Sequence, residues 1–549
     1  MRRLPAIVVP ALLGVVVIAL VAAAARPPGP VVIQLLAIND LHGHLGAPGG
    51  TNGRVGSVPA GGAAYLSAHL SRLADGLPTL VVAAGDLVGA SPLVSGMFHD
   101  EPIIEALNAM ELSVSAVGNH EFDEGIAELL RLANGGCHPK DGCQDGDEFT
   151  GARFQYLAAN VVGSKTAAPI FPPTAVRRIG GVTVGFIGLT YQATWQIVPP
   201  EVNREVVFLD ETAVINRYAA ELKRRGVNVV VVLVHEGGRQ AGDESASDPS
   251  ACREFGGSIV GLSEQLTTDV DVVVSGHTHA AYICRVGDRL VTSAGSYGRV
   301  VTRIRLTVDP SRARLVQVDA DNQIVTRELA PDPRVARIVE KYTALVKGKA
   351  GEVVGSVSHD LREAPGPDGR SELGTIIADA QLAAAQRAGD TAAVAFMNAG
   401  GVRADIVKAE GAGPGAVTFA DLFAVQPFGN TVMAFTITGD VLRQLLEQQF
   451  DNPRPGQRRL LYASSGFSYR ADPSAPAGQR VDLRSIRLGG NLVLPSDSVR
   501  VVTTDFLLGG GDGMSVLGQS SDRMAIATDI DALTDYFRRN SPVGFGAVP

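Results

Sequence analysis

The stretch VDVVVSGHTHA, residues 270–280, carries an apolar run straight into two histidines spaced two apart. Such a run, stopped by a small residue, reads as a strand buried on both faces. Histidines at alternate positions just past its end are either a ligand pair or two packed core imidazoles. What decides between them is how the other apolar runs end.

They end alike. VVIQLLAI runs into NDLHGHL, with Asp40 and His42, and LPTLVVAA runs into GDLVGAS, with Asp86. VSAV leads to GNHEFD, with Asn119, His120 and Asp123; VVVVLV leads to HEGG, with His235; and the opening run leads to His277 and His279. Polar ligand-type residues thus recur at the carboxyl ends of apolar strands, the edge where α/β sheets bind ligands. A single Asp could cap a helix and a single Asn could hold a turn. The set together points to a shared metal site. Mixed carboxylate, amide and imidazole donors suit divalent ions such as Zn²⁺ or Mn²⁺, and Asp40, His42, Asp86, Asn119, His235, His277 and His279 are too many for one tetrahedral ion.

Between the strands, GGAAYLSAHLSRLAD, EPIIEALNAM, FDEGIAELLRLA and ETAVINRYAAELKRRG carry helical periodicity. This alternation predicts an α/β fold, a layered domain of sheets flanked by helices over residues 31–325. DPRVARIVEKYTALVKGKA predicts a linker helix within 326–350, and a second α/β domain is expected over 351–535. The Gly-rich stretches 43–62, 135–152 and 239–257 read as loops.

The motif order D-x-H, G-D, G-N-H-[DE], H, G-H-x-H resembles that of the calcineurin-like metallophosphatases. The resemblance implies two divalent ions, one held by Asp40, His42, Asp86 and His279, the other by Asp86, Asn119, His235 and His277, with Asp86 bridging. Hydroxide generated at the ions would be the nucleophile. His120 would stabilise the transition state or protonate the leaving oxygen, oriented by Asp123; the simpler alternative is that Asp123 caps the following helix. His44, in a Gly-rich loop, is expected to be solvated, and His69, His99 and His138 receive no role.

Three segments of the second half, NAGGVRADI, QPFGNTV and FLLGGGDGM, extend the likeness to the 5′-nucleotidase family, which includes UDP-sugar hydrolases. The resemblance implies that Phe428 and Phe506 sandwich a nucleotide base and that Asp512 accepts from the ribose hydroxyls. Asn398 and Asn430 would bond the base or hold the pocket's turns, and Arg403 would meet the phosphate. Arg370 matches a further family arginine loosely. The implied activity is hydrolysis of nucleoside 5′-monophosphates to nucleoside and phosphate, with UDP-sugar hydrolase or 2′,3′-cyclic-nucleotide 2′-phosphodiesterase as alternatives. Some 5′-nucleotidases carry an amide at the position of His279, which keeps the leaving group open. A non-catalytic nucleotide-binding surface protein is the rival outside enzymes. In the family the second domain rotates to bring substrate to the metals, and the linker helix is where a hinge is expected.

Residues 1–30 carry Arg2 and Arg3, then an apolar run from Leu4 to Ala25, which reads as a secretory signal or a membrane anchor. Either places the rest outside the cytoplasm, where Cys137, Cys143, Cys252 and Cys284 favour disulfides. Of the three pairings, Cys137–Cys143 with Cys252–Cys284 is preferred. A formal charge of -9 argues against a nucleic acid polymer as partner, and no protein partner is implied.

Overall fold

The computed structural model describes residues 29–240, 248–312, 314–366, 369, 371–408, 413–452 and 455–544. The expected signal or anchor segment and Arg370 lie outside the described residues.

The first unit is a sandwich of two six-stranded sheets. Its strands are β1 (Val31–Ile38), β2 (Thr79–Ala83), β3 (Leu112–Ala116), β4 (Gln155–Leu157), β5 (Thr174–Ile179), β6 (Val182–Thr190), β7 (Val229–His235), β8 (Val272–Ser275), β9 (Ala281–Val286), β10 (Arg289–Ala294), β11 (Val300–Asp309) and β12 (Arg314–Ile324). One sheet has the order β12-β11-β1-β2-β3-β4, the other β9-β10-β8-β7-β6-β5. In the first sheet β1 to β4 run parallel and β11 and β12 are antiparallel to their neighbours; in the second β10, β8, β7 and β6 run parallel and the edge strands β9 and β5 pair antiparallel.

The apolar runs alternate between two cores because successive side chains point to opposite faces. Ile33, Leu35 and Ala37 of β1 meet Val184, Phe186, Val231 and Leu233 between the sheets. Leu36 and Ile38 instead face α1 (Ala63–Ala74), α3 (Glu101–Ala109) and α4 (Gly125–Asn134). On the far face α5 (Glu211–Arg224) and α6 (Ser258–Gln265) cover the second sheet. Strands buried on both sides need no polar alternation, which is why they read as continuous Val, Ile and Leu. Truncating one of their large side chains to Ala should cost roughly 2–5 kcal/mol.

A short helix, α2 (Leu93–Gly96), precedes α3. The connector, α7 (Pro333–Ala350), begins at Asp332, whose carboxylate accepts from the Arg334 N–H at 2.8 Å, with Pro333 at the first helical position. Its buried Tyr342 packs on Phe98, and the phenol bonds Glu105 at 3.0 Å and Asp145 at 2.7 Å. Lys341 reaches Asp145 and Asp147 at 2.6 and 2.9 Å. Most of α7 is thereby fastened to the first unit.

The second unit has a five-stranded sheet: β13 (Val394–Asn398), β14 (Thr431–Thr438), β15 (Leu461–Ala463), β16 (Ser498–Thr504) and β17 (Ser521–Thr528), in the order β15-β13-β16-β14-β17. The helices α8 (Glu372–Arg387), α9 (Phe419–Val425) and α12 (Asp529–Asn540) pack on one face. On the other lie α10 (Gly439–Glu447) and the short α11 (Asp505–Leu508). Disulfides join Cys137 to Cys143 and Cys252 to Cys284, the preferred pairing. Among the described residues, no helix is long and apolar enough to cross a membrane.

Candidate active site

The turns that follow β1, β2 and β8 hold their polar residues in an unusual backbone state. Asp40, His42, Asp86, His277 and His279 all have positive φ, between 47° and 70°. For residues other than glycine that conformation costs of order 1 kcal/mol or more and survives only where surroundings impose it. Here the first two strand ends are laced together: the N–H of Asp40 donates to Gly85 and that of His42 to Asp86, both at 3.0 Å. Gly118 lies so close behind Asp86 that any side chain there would collide with its carboxylate.

All seven expected ligands converge. His42 and His279 face each other Nε2 to Nε2 at 3.0 Å, with Asp40 Oδ1 3.5 Å from His279 Nε2. Next to them, His235 Nε2 stands 2.9 Å from Asp86 Oδ2, and His277 Nδ1 stands 2.9 Å from Asn119 Oδ1. Asp86 lies between the groups, 3.8 Å from His42 Nε2. Backbone carbonyls orient the rings: Gly89 holds His42 Nδ1 at 2.9 Å, and Ala84 holds His235 Nδ1 at 2.8 Å. Each ring then turns its other nitrogen inward, the usual arrangement behind a metal ligand.

These donors fit divalent cations. With its Nδ1–H on the Gly89 carbonyl, His42 turns an unprotonated Nε2 toward His279 Nε2 and the Asp40 carboxylate. His235 Nε2 is buried without a hydrogen bond of good geometry, although Asp86 is near. The charges agree. Burial drives the Asp40 carboxyl up to about 7, moderated by His235. Burial also opposes charge on Asp86, but His235 and His120 outweigh it and hold that carboxyl well below the usual range. The same attraction lifts His235 to about 10 against its own burial. Buried carboxylates that must draw a proton onto a neighbouring imidazole are a site short of positive charge.

His120 projects beside this cluster. Its Nδ1 lies 2.8 and 3.1 Å from the Asp123 oxygens, and its own N–H donates to Asp86 Oδ1 at 2.9 Å. Burial opposes its protonation, yet Asp123 and Asp86 raise it above the ordinary histidine value. Asp123 does not cap α4, whose first turn has no side-chain cap; its second contact is the Ala90 N–H at 3.1 Å.

From the second unit, Asn398, Arg403, Phe428, Asn430, Phe506 and Asp512 line the same cavity as Asp86, Asn119 and His120, a space of about 460 Å³. The Phe428 ring lies over His120 at 5.9 Å and 18°. In this arrangement the two sets already meet without rotation. Asn398 donates to Asp512 Oδ2 at 2.7 Å, and Asn430 gives its backbone and side-chain N–H groups to Asp529 at 3.1 and 3.0 Å. Both asparagines therefore hold the pocket's turns.

Two site residues went unread. Glu121, inside the GNHEFD motif, is buried and accepts the N–H groups of Asp86, Leu87 and Gly118 at 2.9, 2.8 and 2.6 Å. It ties the β2 and β3 ends together, and a carboxylate within a ligand motif was signal enough to suspect it. Arg459, in the polar stretch RPGQRRL, pairs with Asp512 and lines the cavity, and nothing local marked it. His44 is not simply solvated: it is half-buried, bonded to the Leu41 and His42 carbonyls, with its ring 4.2 Å from that of Tyr297. Its loop folds back under Tyr297, which the sequence did not foretell. His69 is a buried core histidine bonded to the Thr326 carbonyl at 3.0 Å.

Residues 33–281 match the calcineurin-like phosphoesterase family, and residues 353–519 match the 5′-nucleotidase C-terminal domain. A cell wall protein of Listeria monocytogenes, Lmo0130, is 31% identical over 93% of this chain and 68% of its own length. Endonuclease YhcR of Bacillus subtilis is also 31% identical over 86% of this chain, which spans only 37% of that protein. The crystal structure of a 5′-nucleotidase precursor from Thermus thermophilus superposes with a TM-score of 0.74 at 27% identity, covering 92% of this chain and 96% of that one.

Proposed function

Because the chain belongs to the calcineurin-like phosphoesterases that carry a 5′-nucleotidase C-terminal domain, and so is a phosphate-ester hydrolase, we propose that it hydrolyses nucleoside 5′-monophosphates to nucleoside and phosphate outside the cytoplasm. The observation that carries this reading is the stack of Phe428 on His120. It sets an aromatic platform for a base in the cavity that Asp86 and Asn119 also line.

Two divalent ions, held by Asp40, His42, Asp86 and His279 and by Asp86, Asn119, His235 and His277, would draw charge from the phosphoryl oxygens and acidify an attacking water. Arg403 would neutralise a phosphoryl oxygen as the ester enters. Phe428 and Phe506 would hold the base, and Asp512, braced by Arg459 and Asn398, would accept from the ribose hydroxyls. His120, with Nδ1 committed to Asp123, would offer a proton from Nε2 to the departing ribose oxygen. Two disulfides and kinship with a cell wall protein support a location outside the cytoplasm.

The test is turnover of AMP (read as phosphate and adenosine), UDP-glucose (read as UMP and glucose 1-phosphate) and 2′,3′-cyclic AMP (read as 3′-AMP) by protein stripped with chelator and reloaded with Mn²⁺ or Zn²⁺, with Asp86→Ala as control. Fastest metal-dependent turnover of AMP is expected. Metal-loaded protein that leaves AMP untouched overturns the proposal, and a faster reaction on either other compound reassigns the leaving group.

A further inference from the structure

Four carboxylates line the cavity, those of Asp86, Asp123, Asp512 and Glu363. Three of them have partners: Asp86 faces His235, Asp123 faces His120, and Asp512 is held by Arg459 and Asn398. The Glu363 carboxylate is half-buried, yet among the described residues it accepts no hydrogen bond and forms no ion pair. Its backbone, by contrast, is tied down. Leu361 and Ile406 exchange N–H to carbonyl bonds at 2.9 Å, and the Glu363 N–H donates to Asp405 Oδ1 at 2.7 Å. Arg362 holds the other oxygen of Asp405 at 2.9 Å. This pairing sets Glu363 beside the turn that carries Arg403, and both side chains reach the cavity. Burial raises the Glu363 carboxyl above its ordinary value, and the Arg403 guanidinium opposes the rise. The same guanidinium bears on His120 and Asp123, so Glu363 and the candidate centre share the influence of one cation.

A carboxylate without a partner weakens the binding of any anion that enters beside it, and such repulsion is one way a site rejects the wrong ligand. We propose that Glu363 is a charge filter, which lets a single phosphoryl group reach Arg403 and the candidate centre and repels the additional phosphoryl group of a nucleoside di- or triphosphate. The proposal rests on the nucleotidase reading and narrows its substrate class to monophosphates. A monophosphate brings all its charge to the ions and Arg403. A second phosphoryl group, confined to the same space of about 460 Å³, would have to share Arg403 and lie against Glu363. The other arginines at the wall offer it little, since Asp512 already neutralises Arg459 and Arg239 is engaged as well. In a space poor in water, like charges brought together repel far more strongly than in bulk solvent.

The test is kcat/KM on AMP and on ADP, followed as loss of each nucleotide, for the metal-loaded wild type, Glu363→Gln and Glu363→Ala at pH 8 with free metal held constant. The wild type should prefer AMP, and Glu363→Gln should narrow that preference roughly tenfold, with the gain falling on ADP. Added salt should narrow the preference of the wild type and leave that of the variant flat. Should Glu363→Ala fold poorly, Glu363→Gln decides, since it keeps size and shape. An unchanged preference overturns the filter, and so does a loss of AMP turnover in Glu363→Gln, which would make the carboxylate a bonding partner of the substrate. If the wild type attacks neither nucleotide, the nucleotidase reading falls by itself. Inhibition of p-nitrophenyl phosphate hydrolysis by phosphate and by pyrophosphate then reads the same preference, and equal changes for both inhibitors in Glu363→Gln overturn the filter.

Discussion

The two walls of the cavity are built differently. Asp40, His42, Asp86 and His235 are at most 1% exposed, sit at strand ends, and are fixed by backbone hydrogen bonds. Phe428, Asn430 and Arg403 lie on loops and Phe506 in the single turn of α11, and all four are only partly covered. The first wall must hold charges at fixed separations, which a buried sheet edge does well. On the proposed reading the second would admit and release a flat, partly apolar group, which partly covered rings can do. The proposed function would thus divide chemistry and recognition between a rigid wall and an accommodating one.

If that division is right, damage to the first wall should be the larger. Asp86→Ala removes the carboxylate between both donor groups. We expect turnover to fall by roughly three orders of magnitude or more and metal content to drop with it, read by phosphate release and metal analysis. His120→Ala should lower kcat roughly 10²–10⁴-fold with metal content intact, because only a proton donor is lost. Asp123→Asn should follow it in the same direction and less far. On the second wall, Phe428→Ala or Phe506→Ala should each cost about 1–3 kcal/mol, raising KM more than it lowers kcat. A kcat collapse at either phenylalanine would erase the distinction.

The smallest effect concerns what holds the second wall up. Asp529 Oδ2 accepts both Asn430 N–H groups, and burial pushes its carboxyl up to about 7 from an ordinary 3.8. The folded chain therefore keeps a proton that the unfolded chain has released above about pH 4. This contribution to stability is full below that pH and is lost as the pH rises through 7. Asp529→Asn should flatten the decline of melting temperature between pH 5 and 8, and an unchanged slope would show that this carboxyl does not titrate there.

The first wall was legible because strands buried on both faces announce themselves as apolar runs, and each run ended in ligand chemistry. The edge strands β5 and β9, with sequences TAVRRI and AYICRV, went unread, since arginines interrupt the pattern where one side meets water, and so did their inner neighbour β10, RLVTSA, whose buried Thr and Ser break the apolar run. In the second half the helices of α8 and α10 stood out, whereas the sheet did not. β13 and β16 reach their partners across long intervals, and pairing over such separations leaves no local mark. Arg459 was invisible for the same reason: its partner Asp512 is 53 positions away.

The connector α7 is seated on the first unit through Tyr342, Lys341 and Asp332, while Phe419 of α9 bonds its N–H to Glu352 just beyond the helix end. The helix is thus seated mainly on the first unit, with its last turn, through Lys349 and Ala350, already touching the second at Phe419. A join at Gly351 would exchange the second unit while leaving the strand-end cluster of the first whole. A chimaera joined there would take its substrate preference from the second unit if recognition resides in it as proposed.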